Sequence, residues 1–228
     1  MKVVIFGASG MVGSGVLLEC LDSPEVSRVI VVGRTPTGRT HDKLTEIEHG
    51  DFLDFSTIED ELKDLDACFW CLGISAAGLS EEKYTRITYD FTKAAAETLL
   101  RLNPKITMCF VSGMGTDSSE KGRQMWARVK GRAENLLLGM GFERAIMFRP
   151  AAIQPTRGIK SKTLLYRIVY IMMTPLWPLS RLVAGKWVTN GVVIGRAMIH
   201  AAQHGAPKDI LESPDINALA QSALAGAS

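Results

Sequence analysis

A chain of 228 residues, 46% hydrophobic and 22% charged, has the composition of an ordinary globular protein, with room for one well-cored domain and a small appendage. A formal net charge of +2 provides no basic surplus for nucleic acid. No stretch matches the roughly 20 apolar residues of a spanning helix. No secretory leader is visible either, so a reducing, cytoplasmic location is the expectation.

In chain order, Lys2 to Phe6 is a short apolar run of buried-strand type, followed at once by GASGMVG with Gly7, Gly10 and Gly13. An amphipathic helix, Met11–Leu21, comes next. Glycines suit such a junction because the turn is tight, the backbone must approach a pyrophosphate, and the helix must pack closely on the sheet. The helix start adds unpaired N–H groups and a partial positive charge to receive the anion. Strands are then expected at Arg28–Val32, Leu44–His49, Ala67–Leu72, Ile106–Ser112 and Arg144–Phe148. Between them fall helices at Glu81–Leu102 and Lys121–Met140, with a helical turn around Thr57–Lys63. Tyr84, Ile87, Phe91, Ala95 and Leu99 recur at helical spacing, so one stripe of the Glu81 helix faces the sheet. The alternation predicts an α/β fold: a doubly wound parallel sheet with helices on both faces and ligands at the carboxyl ends of the strands.

After Pro150 the character changes. Residues 151–160 read as loop, and the apolar stretch from Thr163 to Leu182 is broken by Pro175 and Pro178. A helix at Gly191–Gln203 is capped by Thr189 or Asn190. Lys208–Leu211 reads as a last short strand and Asp215–Ser222 as a last helix, with the tail ALAGAS frayed. The expected organisation is a single domain, 1–228, whose residues 151–228 build a small C-terminal cover on the substrate side.

Cys20, Cys68, Cys71 and Cys109 read as buried free thiols. Cys68 and Cys71 form a C-x-x-C, but within a strand residues three apart point to opposite faces and cannot share a metal or a disulfide. His200 and His204 lie one helical turn apart with no third ligand in view, so no metal site is expected.

The second strand ends VVGRTPTGR, where Gly33 and Arg34 occupy the place of the carboxylate that an NAD site uses for the ribose 2′-hydroxyl. A guanidinium there suits a 2′-phosphate, so Arg34, with Arg39 in support, argues for NADP over NAD. Asp51 and Phe52, past the third strand, are expected at the adenine. Leu72 and Gly73, at the end of the fourth, are expected beside the ribose and pyrophosphate.

GASGMVG, VVGR, HGDF, CLGIS, FVSGMG, a W-x-x-x-K on the next helix and FRPAAI resemble, in order and spacing, the short-chain dehydrogenase/reductase superfamily, in particular its atypical, epimerase/dehydratase-like NAD(P)H-binding branch. The resemblance covers about residues 1–155. It implies a Rossmann fold, a nicotinamide dinucleotide and a substrate held against the C-terminal segment. Candidate cofactor contacts are therefore Gly7, Ser9, Gly10, Met11, Val12 and Gly13 of the turn, then Arg34, Asp51, Phe52, Leu72 and Gly73, and finally Lys130 and Pro150. The family's chemistry uses a Ser after the fifth strand and a Tyr-x-x-x-Lys on the following helix, where a four-residue spacing puts both side chains on one face. Here Ser112 and Lys130 match, and they are the candidate catalytic residues. The tyrosine position holds Trp126, whose indole is a donor only and no proton shuttle. Gly113 and Thr88 depart from a second Ser and an Asn that are frequent in the family.

The expected function is an NADP(H)-dependent oxidoreductase or epimerase-like activity on a small carbonyl or hydroxyl compound, with an unusual proton donor. The Met-rich residues Leu164, Leu165, Tyr166, Ile168, Met172, Met173 and Trp177 suit an apolar substrate. The alternative from a different class is a non-catalytic NADP(H)-binding sensor or partner-binding protein, which Trp126 favours. A third reading is peripheral membrane or dimer contact through residues 163–183, where lysines and arginines punctuate apolar residues. No motif sets an oligomeric state.

Overall fold

The computed structural model describes residues 1–154 and 185–225. Its centre is a parallel sheet of seven strands among the described residues: β1 (Lys2–Phe6), β2 (Arg28–Gly33), β3 (Leu44–Glu48), β4 (Ala67–Trp70), β5 (Thr107–Val111), β6 (Arg144–Arg149) and β9 (Ile210–Glu212). The order is β3-β2-β1-β4-β5-β6-β9, so the direction of winding reverses between β1 and β4. Ligands bind at such a switch point because the two loops leaving it diverge and open a crevice.

The inner strands β1, β2, β4 and β5 read as mostly apolar runs because both of their faces are buried. Alternate side chains serve two separate cores. Val3, Ile5, Val29, Val31, Phe69 and Phe148 meet helices α1 (Met11–Asp22), α5 (Gly191–His204) and α6 (Ser213–Ala225). Val4, Phe6, Ile30, Trp70, Phe110 and Met147 meet the 3₁₀ turn Ser56–Leu62 and helices α3 (Phe91–Leu102) and α4 (Met125–Gly139). Each large side chain fully buried in this way contributes about 1.5–3 kcal/mol of transfer free energy. A small second sheet pairs β7 (Ala152–Gln154) with β8 (Val188–Asn190), also in parallel. Asn190 caps α5, its side-chain oxygen accepting from the N–H groups of Val192 and Val193 at 3.0 Å each.

Several expected boundaries shift for physical reasons. The helix expected from Lys121 begins at Met125, because residues 117–124 are held as a loop by Asp117. Its Oδ2 accepts from Gly122 N–H at 2.6 Å, and Arg128 donates to Gly122 O at 2.8 Å. The Glu81–Leu102 helix forms α2 (Glu81–Thr85), a π turn at Arg86–Asp90 and α3. The wider turn rotates the apolar stripe, so Tyr84, Ala95 and Leu99 are buried while Ile87 and Phe91 are only half-buried. α6 starts at Ser213 and runs through Ala225, so the first residues of the tail continue a helix rather than fraying. The apolar segment 163–182, with every aromatic and basic residue expected to cover the substrate or touch a membrane, lies outside the described residues. Among the described residues no helix is long and apolar enough to cross a membrane.

The C-x-x-C behaves as its spacing requires: Cys68 is buried on one face of the sheet, and Cys71 packs against the core of the other. All four cysteines are free, and burial raises every thiol above its ordinary range, Cys71 to about 12. The rings of His200 and His204 stand 4.8 Å apart. No group of three metal-ligating side chains occurs among the described residues.

Candidate cofactor and active site

A cleft of about 900 Å³ opens along the carboxyl ends of β1, β2, β4 and β5. It starts at the glycine turn. Gly7 has φ +78°, and a Cβ there would lie 2.6 Å from both Leu72 N and Leu72 Cα, so the chain leaving β4 passes directly against it. Only glycine allows both the left-handed backbone and that approach. Gly10 N–H donates to Gly7 O at 2.9 Å and closes the turn. A Cβ on Gly13 would lie 2.2 Å from Gly7 O. Gly13 therefore seats α1 against the turn from behind and does not line the cleft. α1 begins with no side-chain cap and no acidic residue in its first turn. Its first N–H groups, which have no intrahelical partner, stay available to an anion.

Gly7, Ser9, Gly10, Met11 and Val12 all line the cleft, as do Arg34, Phe52, Leu72, Gly73, Ser112, Lys130 and Pro150. Asp51 does not. Its Oδ1 accepts from Leu53 N–H at 3.0 Å, so the side chain folds its own turn instead of pointing inward. Arg34 is exposed at the rim beside Thr37, whose N–H donates to Glu46 Oε1 at 2.7 Å and fastens the loop after β2 onto β3. The hydroxyl of Thr37 is buried and has no partner among the described residues. Phe52 is buried and stacks on Phe91, with ring centroids 5.5 Å apart. Thr37, Ile87 and Phe91 are cleft residues that sequence reasoning missed as such. The available signal was a five-residue apolar stripe, of which Ile87, in the π turn, and Phe91, just after it, also line the cleft, Phe91 while still packing on the core.

At the other end, Ser112 continues β5. Its N–H and hydroxyl both donate to Phe148 O, at 2.9 and 3.3 Å. Lys130 reaches from α4 and donates to Ser112 O at 2.6 Å and to Val111 O at 3.4 Å. Desolvation lowers the Lys130 ammonium to about 8, and Glu134, one turn along the helix, opposes that shift. Glu134 is fully buried and accepts a forked pair of bonds from Arg149, with Nε to Oε1 at 3.0 Å. Arg149 also donates to Ser118 Oγ at 2.6 Å and lies 3.8 Å from Glu212. α4, β6, β9 and the loop after β5 are thus joined by one partly buried charge network. Trp126 does not line the cleft: it is half-buried, and its ring edge lies against Gly115, 3.5 Å from where a Cβ would be. The stripe of Val129, Ala133 and Leu137 below it is buried.

A parallel sheet with a glycine turn at its switch point and a long cleft across its strand ends defines a Rossmann-type α/β protein. The chain belongs to the NAD dependent epimerase/dehydratase family, whose sequence profile matches residues 3–119. It is 29% identical over 202 residues to protein fmp52-2, mitochondrial, of Aspergillus terreus, covering 87% of this chain and 85% of that one. It is 26% identical over 196 residues to protein FMP52-1, mitochondrial, of Scheffersomyces stipitis, covering 83% and 85%. Among solved structures, it superposes on a UDP-N-acetylglucosamine 4-epimerase of Methanobrevibacter ruminantium with TM-score 0.66 and 18% identity, covering 92% of this chain and 74% of that one. The Bordetella bronchiseptica enzyme WbmF, in complex with NAD+, gives TM-score 0.66 at 15% identity, covering 97% and 77%. At such identities the structural likeness concerns the fold. The sequence relatives correct one expectation: they are mitochondrial by name, which overturns the cytoplasmic location expected from the sequence.

Proposed function

We propose that the cleft holds NADP(H) and that the protein is an oxidoreductase or epimerase-like enzyme acting on a small carbonyl or hydroxyl compound. The observation that carries this reading is the co-location of the glycine turn, Arg34 and Lys130 along one continuous cleft. The residues present fit a dinucleotide. Gly7, Gly10 and the uncapped start of α1 would take the pyrophosphate, Phe52 would wall the adenine, and Lys130 with Pro150 would bound the nicotinamide ribose. When bound, the nicotinamide supplies or accepts a hydride. Arg34, exposed at the rim and with no carboxylate partner among the described residues, supports a 2′-phosphate and hence NADP over NAD. The hydrophobic cleft residues Ile74, Ile87 and Ile153 support an apolar substrate. The names of the Fmp52 relatives support a mitochondrial location.

The test is NADPH oxidation across a panel of aromatic aldehydes and ortho-quinones. Turnover of at least one member supports the enzyme. Tight NADPH binding with no turnover anywhere on the panel supports the second reading, a sensor or partner-binding protein. That reading is favoured by Trp126, which the family resemblance puts at the usual proton donor's place and which is not among the described residues lining the cleft.

A further inference from the structure

With Trp126 outside the cleft, the proton needed at a substrate oxygen must come from another group. Among the described residues, only Arg34, Cys71 and Lys130 line the cleft with ionisable side chains. Arg34 sits at the end of β2, on the adenosine side of the glycine turn, and a guanidinium does not release its proton near neutral pH. Cys71 is a desolvated thiol held far above its ordinary range. The Ser112 hydroxyl is spent on Phe148 O, a carbonyl oxygen that cannot serve as its base. Lys130 is different. Two of its protons are taken by Ser112 O and Val111 O, which fixes the ammonium at the end of β5. The third remains for the cleft that the side chain lines.

We propose that Lys130 is itself the proton donor of this enzyme, taking over the role of the missing tyrosine. The inference rests on the reading of the protein as a carbonyl reductase. As the carbonyl carbon gains a hydride, the C=O π pair moves onto oxygen and takes a proton from Lys130 Nζ. One N–H bond breaks, one O–H bond forms, and the neutral amine left behind regains a proton from water. In the direction of alcohol oxidation, the neutral amine accepts the hydroxyl proton.

The surroundings suit that duty. A general acid works best when its proton affinity lies near the working pH, and burial brings Lys130 to about 8. Several charged and titratable groups of the packed elements have partners of their own. Glu134 on the same helix is bound to Arg149 of β6, which also approaches Glu212 of β9. Glu81 of α2 pairs with Arg128, and Tyr89 of the π turn lies under Arg132. Cys71, at the end of β4, stays a neutral thiol across this range. The carbonyl oxygens that hold the ammonium keep it aimed in both protonation states, since a neutral amine still carries two donors for them.

Lys130→Arg separates proton donation from ribose binding, because arginine keeps a cation and donors but does not give up a proton. The expected result, read at NADPH concentrations that saturate each protein by fluorescence titration, is NADPH oxidation on the carbonyl panel slowed by roughly 100-fold or more. A second readout needs no substrate. In protein carrying isotope-labelled lysine, the Lys130 resonance should titrate with a midpoint near 8, and wild-type reduction should fall with rising pH around the same point. Turnover by Lys130→Arg within about threefold of wild type would overturn the inference while leaving the reductase reading intact, as would a Lys130 midpoint above the ordinary lysine value of about 10.4. Absence of turnover in wild type that binds NADPH would sink the reductase reading, and this inference with it.

Discussion

The two ends of the cleft are built on different principles. At the β1–α1 end, backbone does the work. Gly7 and Gly13 are defined by what a single added carbon would strike, and the groups proposed to receive the pyrophosphate are main-chain N–H donors. At the β5–α4 end, charged side chains do it. Lys130 is fixed by two carbonyl oxygens, and its helix is tied to β6 and β9 through Glu134, Arg149 and Glu212. A backbone site tolerates almost no substitution yet binds a group that many proteins share. A side-chain site can exchange one member, as we propose for Trp126 in the place of a tyrosine, and keep its frame while its chemistry changes.

Breaking the side-chain end should cost most. Glu134→Ala leaves Arg149, among the described residues, with Glu212 and Ser118 in a largely buried place, and is expected to destabilise by about 3–5 kcal/mol. The melting temperature should drop by on the order of 10 °C. A drop of under 2 °C, measured by calorimetry, would show that the network is dispensable. Gly7→Ala tests the other end. A side chain at φ +78° in contact with Leu72 backbone should cost about 2–4 kcal/mol and abolish nucleotide binding at millimolar concentration. An alanine variant that still binds NADPH would break the distinction between the two ends.

Arg34→Ala sharpens the comparison from within the backbone end, where Arg34 is the side-chain element. Losing a charge-assisted contact worth about 1.5–3 kcal/mol should weaken NADPH by roughly 10- to 100-fold and leave NADH unchanged. The smallest effect is expected at Lys130. Its proton affinity is lower in the folded than in the unfolded state, so between pH 8 and the unfolded lysine value of about 10.4 the unfolded chain binds more protons and stability rises with pH. Below pH 8 the buried ammonium is a net cost. Lys130→Met should therefore be more stable than wild type at pH 7 by about 1 kcal/mol, after the lost bonds to Ser112 and Val111 are counted. That advantage should shrink as pH rises from 8 toward 10. An advantage constant across this range would show that burial does not perturb the lysine.

The shape of the backbone end was legible in the sequence because three glycines at this spacing, set between a strand and a helix, allow a tight turn and close approaches that other residues cannot make. The order of strands and helices was legible for a similar reason: runs buried on both faces alternate with amphipathic stripes. Other features were hidden because they depend on contacts distant in the chain. The rotation of Ile87 and Phe91 toward the cleft follows from a π turn that periodicity alone does not show. Asp51 carries the right chemistry for an adenine contact, but its own turn offered a nearer N–H. Gly13 matches the dinucleotide motif, although its contribution is packing. The network behind Lys130 joins residues 118, 134, 149 and 212, and no local pattern announces such pairings. The cytoplasmic location failed on different grounds, because it was only a default expectation and the mitochondrial names of the sequence relatives oppose it.

Calorimetric titration of the wild-type protein with NADPH and with NADH, side by side, tests the central claim most directly. NADPH should bind at one site per chain, at least about tenfold more tightly than NADH. Binding of neither nucleotide would contradict the dinucleotide reading of the cleft. Equal affinity for both would contradict the part assigned to Arg34.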